Sequence, residues 1–295
     1  MIRTAIGPYQ LVRRLGVGGM AEVFLALSFG ASGFVRQVAI KVLRPELVGV
    51  ADLERALIQE ARLAATVSHR GLVTVLGLGI DDGVYYVVME YVDGADLATL
   101  LETGPLPLPL ALLVAEELAL ALDHLHRVRD ARGLPLGLVH RDVSPSNVLV
   151  SHAGEVKLGD FGIAKATALA DLTGAGTRKG KYSYMSPEQL AGEPLDATSD
   201  QFSLGVTLVE LATGVRPFDG ETPLATMDNI RRGVLPDLGG LPSDVVAVVR
   251  RALAVAPVDR FPTSEDLRRA FAVVRRGQPP VALPDLAAWV VRALS

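Results

Sequence analysis

The chain has 295 residues, 49% of them hydrophobic and 21% charged, which excludes a disordered chain and allows roughly two domains or one domain of two lobes. A formal net charge of -4 gives no broad basic surface for nucleic acid, and the lack of cysteine excludes disulfides, thiolate metal sites and a cysteine nucleophile. The five histidines have no zinc spacing, Met1-Ile2-Arg3-Thr4 lacks the apolar run of a signal peptide, and no apolar stretch reaches the ~20 residues that span a bilayer.

In chain order, Tyr9 to Leu15 reads as a strand, and Gly16-Val17-Gly18-Gly19-Met20-Ala21-Glu22-Val23 as a glycine turn feeding a second strand. Such glycines let backbone amides approach a phosphate closely, although a glycine hairpin can equally be a plain turn. The strand–turn–strand context argues against a dinucleotide-binding loop, which would continue into a helix. Val38-Ala39-Ile40-Lys41 is a buried-strand pattern ending in a lysine, which is either directed at a ligand or simply at a strand end. Asp52 to Ser68 has Leu53, Leu57, Ala61 and Ala64 at helical spacing and carries two glutamates, Glu54 and Glu60. His69 reads as a loop residue, and Leu72 to Val75 as a short strand.

Tyr85 to Val92 is a further strand, running into the Asp93-Gly94 turn that marks the joint between two lobes. Beyond Leu97 the pattern is helical, interrupted by Pro105, Pro107 and Pro109, and then continues from Leu110 to Val128 with a strong apolar face. His124 and His126 near its end read as packing or capping residues, and Asp130 to Leu138 as a slightly long connection.

The stretch His140-Arg141-Asp142-Val143-Ser144-Pro145-Ser146-Asn147 places an acid five residues before an amide in a polar loop that runs into the strand Val148-Leu149-Val150. A second acid opens Asp160-Phe161-Gly162, just past Val156-Lys157-Leu158, so an apolar hairpin can bring both acids together. Oxygen-rich side chains of this kind suit a hard divalent cation and a proton-accepting carboxylate.

These motifs, with their order and spacing, resemble the eukaryotic-type serine/threonine protein kinases that are widespread in bacteria. The resemblance covers about Tyr9 to Ala272 and implies an α+β, two-lobed protein kinase fold. A small β-rich N-lobe (about 9–92) would hold one regulatory helix, and a larger, mainly helical C-lobe would span about 93–272. Residues 273–295 read as a linker through Pro279-Pro280 and a short amphipathic helix around Trp289.

The activity implied is transfer of the γ-phosphate of ATP to Ser or Thr hydroxyls of proteins, with Mg2+ as the cation and Mn2+ as its alternative. Leu15, Gly16, Val17, Gly18, Gly19, Met20, Ala21, Glu22 and Val23 would cover the nucleotide, together with Ala39. Lys41 would hold the phosphates, paired with Glu60 rather than Glu54. Met89 would gate the back of the adenine site, the backbone of Glu90 and Val92 would hydrogen-bond adenine, and Asp96 would face the ribose. Asp142 would orient the acceptor hydroxyl, with Asn147 and Asp160 as metal ligands. The polar run from Ala164 to Lys181 resembles an activation segment, with Thr173, Thr177 and Thr167 as phosphosites whose phosphate Arg141 could pair. Tyr184-Met185-Ser186-Pro187-Glu188 closes that segment. Further on, Asp200 resembles the acid that braces the catalytic loop, and Arg260 the partner of Glu188. Protein substrates, a homodimer for autophosphorylation and a cytoplasmic location complete the expectation, with no nucleic acid and no membrane span.

Three positions depart from the family pattern. Its third loop glycine is Ala21 here, and its lysine two residues after the catalytic aspartate is Ser144. Lys181 stands where the family has a threonine, so a hydroxyl and an ammonium have changed places, and Lys181 would supply the charge to the γ-phosphate. A solvated Lys181 is the plainer reading. A scaffold that binds nucleotide without turnover is the alternative that Ser144 raises.

Overall fold

A computed structural model describes residues 4–160, 182–238 and 240–295. Their packing separates two units. One is formed by residues up to His69 with Val73–Val92, the other by Arg70–Leu72, Asp93–Asp160 and the described residues from Tyr182 onward.

The first unit is an antiparallel sheet with one long helix. Strands β1 (Ala5–Ile6), β2 (Tyr9–Val17), β3 (Ala21–Phe29), β4 (Val35–Leu43), β5 (Val75–Asp81) and β6 (Val84–Glu90) lie in the order β1-β2-β3-β4-β6-β5. Side chains alternate between the faces of a strand, and β4 uses both. Val38, Ile40 and Val42 join Ile6, Ala26, Tyr86 and Val88 in an apolar cluster on one face. Ala39 and Lys41 point to the other face, and the register sets Met89 and Val87 of β6 and Leu25 and Val23 of β3 opposite them. Helix α1 (Ala51–Ala64) has Asp52 and Glu54 in its first turn, where the helix dipole favours them, and buries a stripe of Ala56, Leu57, Glu60, Ala61 and Ala64.

Two boundaries differ from the sequence reading. Helix α1 stops at Ala64 and not Ser68, because Thr66 and Val67 donate three residues back and close tighter turns. Leu72 makes only an isolated bridge to Leu158, and the strand proper starts at Val75. Gly77 and Gly79 interrupt its apolar alternation, which hid it.

The second unit holds a small sheet, β7 (Gly94–Asp96), β8 (Val148–Ser151) and β9 (Val156–Leu158), in that order. Its described helices are α2 (Leu97–Leu101), α3 (Leu108–His126), α4 (Pro187–Ala191), α5 (Ala197–Thr213), α6 (Pro223–Arg232), α7 (Ser243–Ala252), α8 (Ser264–Arg276) and α9 (Leu283–Ala293). Helix α3 begins at Leu108, ahead of Pro109, because proline is tolerated in a first turn where its missing N–H has no partner anyway. Helices α3 and α5 form the core and are buried on most sides. Asp196 caps the start of α5 through the Thr198 N–H, and Gly214 ends it in the left-handed region at φ 74°. The 130–138 connection is a closed turn: the Asp130 carboxylate accepts from the N–H groups of Arg132 and Leu134, and Arg129 bridges to Pro135. Among the described residues no helix is long and apolar enough to cross a membrane.

Candidate active site

In the first unit, Lys41 Nζ donates to Glu60 Oε1 at 2.7 Å, and both residues are buried. The competing acid, Glu54, instead accepts from the Gly49 N–H at 2.8 Å at the start of α1. Val23, Ala39, Lys41 and Met89 share the face of the sheet opposite the apolar cluster. The glycine turn is closed by Gly18 N–H donating to Ala21 O at 2.8 Å, and Arg44 N–H donates to Met20 O at 2.9 Å. Ala21 is a strand residue paired with Leu43 and its methyl is buried, so alanine suits a position where the family has glycine. Gly16 lies opposite Val23 and Val17 opposite Glu22, and Leu15 sits in the register shift beside Gly16. Glu90 is tied twice to Thr74: its N–H donates to Thr74 O at 2.9 Å and its carboxylate accepts from Thr74 N–H at 2.7 Å. That amide is therefore not the group to meet an adenine. Val92 ends this unit.

In the second unit, Asp96 caps α2, accepting at 2.9 Å from both the N–H and the hydroxyl of Thr99. This role had no place in the sequence reading. Each carboxylate oxygen keeps a second acceptor position, so capping and ribose binding are compatible.

The loop 140–147 packs around Asp142. The side-chain amide of Asn147 donates to the Asp142 carbonyl at 2.8 Å and to its carboxylate, which turns the amide oxygen to the other side. Ser144 is buried, and its hydroxyl lies 3.1 Å from that of Ser146. The hairpin β8–β9 returns the chain so that Gly159 N–H donates to Asn147 O at 2.8 Å. His140 Nε2 lies 3.1 Å from Gly159 O and feels the charges of both Asp142 and Asp160. Burial pushes the His140 imidazole below the usual histidine range, so the ring is neutral and Nε2 donates to that carbonyl. The hairpin thus returns Gly159, the neighbour of Asp160, to the backbone of Asn147, whose side chain holds Asp142. A carboxylate and a carboxamide oxygen fit a hard divalent cation. Among the described residues no group of three or more His, Cys, Asp or Glu could hold a metal ion. Such a cation would complete its shell from phosphate or water.

Arg141 and Asp160 both have positive φ, 69° and 53°, a conformation that costs a residue with a side chain ~1–3 kcal/mol unless its surroundings enforce it. For Arg141 the enforcement is visible. Asp200, fully buried, accepts from the N–H groups of His140 and Arg141 at 2.8 Å each, and the side chain of Gln189 donates to Arg141 O at 3.0 Å. Burial alone would raise the pKa of Asp200, but the His126 hydrogen bond at 2.8 Å and the neighbouring His140 hold it below the usual aspartate range. His126 also meets Ser264 at 3.2 Å, so it ties α3 to α5 and α8. Ser186 and Gln189 form a capping box at α4, which orients Gln189. Beside it, Glu188 forms a bidentate pair with Arg260 at 2.7 and 2.9 Å, and Arg260 also donates to the carbonyls of Ala254, Thr198 and Val255. Tyr184 donates its hydroxyl to Glu210, whose carboxyl burial pushes up. Gln189 and the full role of His126 escaped the sequence reading. Lys181, Thr167, Thr173, Thr177, Phe161 and Gly162 lie outside the described residues.

Taken with the antiparallel first unit, this loop and hairpin set in a helical unit make the fold that of a two-lobed protein kinase. A protein kinase domain profile matches residues 9–269. The chain is 44% identical over 271 residues to "Tyrosine-protein kinase MasK" of Myxococcus xanthus, an alignment covering 88% of this chain and 42% of that protein. It is 35% identical over 266 residues to "Serine/threonine-protein kinase PrkC" of Bacillus subtilis, covering 88% of this chain and 39% of that one. A crystal structure of the PknI kinase domain of Mycobacterium tuberculosis matches with a TM-score of 0.70 and 30% identity, covering 94% of this chain and all of that one. The chain belongs to the protein kinase family. It spans about two fifths of the length of these curated relatives.

Proposed function

We propose that the chain transfers the γ-phosphate of ATP to Ser and Thr hydroxyls of proteins, with Mg2+ as the cation and Mn2+ as its substitute. The observation that carries this is the held geometry of Asp142: its carboxylate is fixed by Asn147, and the preceding residue is held in an unfavourable conformation by Asp200 and Gln189. In this reading Asp142 orients the acceptor hydroxyl and takes up its proton, while Lys41, held by Glu60, binds the α- and β-phosphates. The glycine turn, Ala39, Met89 and Val92 accommodate the nucleotide, with Glu90 contributing its carbonyl. Asn147 and Asp160 offer oxygens to Mg2+, which when bound neutralises charge building on the phosphate oxygens. Lys181 contributes the charge that Ser144 lacks. ATP as co-substrate places the reaction in the cytoplasm.

Incubation of the purified chain with labelled ATP and Mg2+, alone and with generic acceptor proteins, tests the proposal. Label on Ser and Thr, on Thr173 or Thr177 above all, supports it. A labelling rate that rises with the square of protein concentration marks transfer between two copies. A relative named as a tyrosine kinase at 44% identity, together with Ser144, favours tyrosine as a second acceptor, and phosphoamino-acid analysis of the same sample decides this. ATP binding without label on any hydroxyl overturns the proposal.

A further inference from the structure

The sheet β7–β8–β9 carries candidate site residues at one end. Asp96 closes β7 opposite Leu149, Asn147 immediately precedes β8, and Asp160 follows β9, whose Leu158 pairs with Val148. At the other end is the turn from Ser151 to Glu155. Ser151 N–H donates to Glu155 O at 2.9 Å, Gly154 N–H donates to Ser151 O at 2.8 Å, and the Ser151 hydroxyl accepts from Ala153 and Glu155.

Helix α9 lies beyond the residues that match the kinase profile, yet it packs on this turn. Gly154 has φ +82°, and a Cβ built on it would stand 2.2 Å from Leu283 O and 3.1 Å from Ala287 N. The first turn of α9 therefore rests directly on the hairpin backbone, a contact that a side chain would abolish. Leu286 and Val290 are fully buried. The helix start is fixed by Asp285 accepting from Ala282 N–H at 2.8 Å, and Arg275, which donates to Glu116 of α3 at 2.8 Å, anchors α8 just before it.

We infer that α9 is a positioning element for the metal-binding hairpin: seated on the turn, it holds β8 and β9, and through them the oxygens of Asn147 and Asp160. The inference rests on the metal role given to those two residues above. It assigns Leu286 and Val290 to support of cation binding, with no contact to nucleotide or acceptor.

The test compares the full chain with Leu286→Ala, Leu286→Ala/Val290→Ala, Gly154→Ala and the conservative Leu286→Met. Amide hydrogen exchange of 148–158 is the first readout, and the Mg2+ concentration for half-maximal transfer is the second. The alanine variants and Gly154→Ala should speed exchange across the hairpin while leaving α5 protected. They should raise the Mg2+ requirement roughly tenfold, the low end for lost support behind metal ligands. Leu286→Met should restore both. Faster exchange in α9 with an unchanged hairpin overturns the inference, as does a looser hairpin with an unchanged Mg2+ requirement. If the double variant fails to fold, Leu286→Ala decides alone. If the wild type transfers no phosphate, the proposed function fails, and hairpin exchange together with Mg2+ binding measured calorimetrically still judges the inference.

Discussion

Lys41 and Asp142 belong to different units and are held in different ways. Lys41 is set by a side-chain ion pair with Glu60, a residue on a helix whose register on the sheet rests on small and apolar contacts. Asp142 is set by its backbone: the peptide groups on both sides of Arg141 are bound by Asp200 and Gln189, and Glu188–Arg260 locks the segment that presents Gln189. The first arrangement can be broken by a small shift of α1. The second is held by hydrogen bonds to buried groups within one unit. In the proposed function, this difference would keep the proton acceptor ready and make the phosphate grip the adjustable part.

The largest effect should come from Asp142→Asn, which removes a base while keeping the shape. Transfer should fall by about 10²–10⁴-fold, as loss of general-base catalysis does, with ATP affinity unchanged by calorimetry. Next is Arg260→Met, which leaves Glu188 buried without its guanidinium and should cost about 3–5 kcal/mol in denaturant unfolding. Glu60→Gln keeps an amide oxygen for Lys41 to donate to, so it should cost less, about 1.5–3 kcal/mol of stability, but raise the KM for ATP. If Glu60→Gln unfolds the chain and Arg260→Met does not, the contrast between the units is wrong.

Lys181→Ala and Lys181→Met sharpen the picture of the γ-phosphate. Both should slow transfer by roughly tenfold or more, the scale of a lost electrostatic contact, without changing stability. An unchanged rate in both dismisses Lys181.

The smallest effect is a pH dependence. His140 has its folded pKa lowered below the ordinary 6.5 by burial, so between the two values the unfolded chain binds a proton that the folded chain does not. Its stabilising contribution is therefore complete above 6.5 and lost as pH falls below it, by at most about 1.4 kcal/mol per pH unit. His140→Gln should flatten that slope in urea titrations between pH 7 and about 5. Asp200, also lowered, acts only near and below its ordinary 3.8.

Much of this was legible in the chain because the relevant signals are local. The glycine turn, the β4 lysine, the His-Arg-Asp loop and the hairpin to Asp160 each declare themselves within about a dozen residues. The choice of Glu60 over Glu54 rested on the resemblance to the family's arrangement, and the structure shows Glu54 accepting from Gly49. What stayed hidden depends on distance. Gln189 reaches Arg141 across 48 positions and His126 reaches Asp200 across 74, with no spacing rule to announce either. Asp96 was read for a ligand alone because the Thr99 cap and a ribose contact ask for the same carboxylate. Strand β5 was misplaced because glycines stand at its inward positions.

The central claim, that Asp142 is the held acceptor of the proton and Lys41 the adjustable phosphate grip, is tested most directly by single-turnover transfer at rising ATP in wild type, Asp142→Asn and Glu60→Gln. The account predicts that Glu60→Gln regains most of its rate as ATP is raised, while Asp142→Asn stays inactive with ATP bound. Wild-type transfer rates in Asp142→Asn, or a Glu60→Gln rate that no ATP concentration improves, would contradict it.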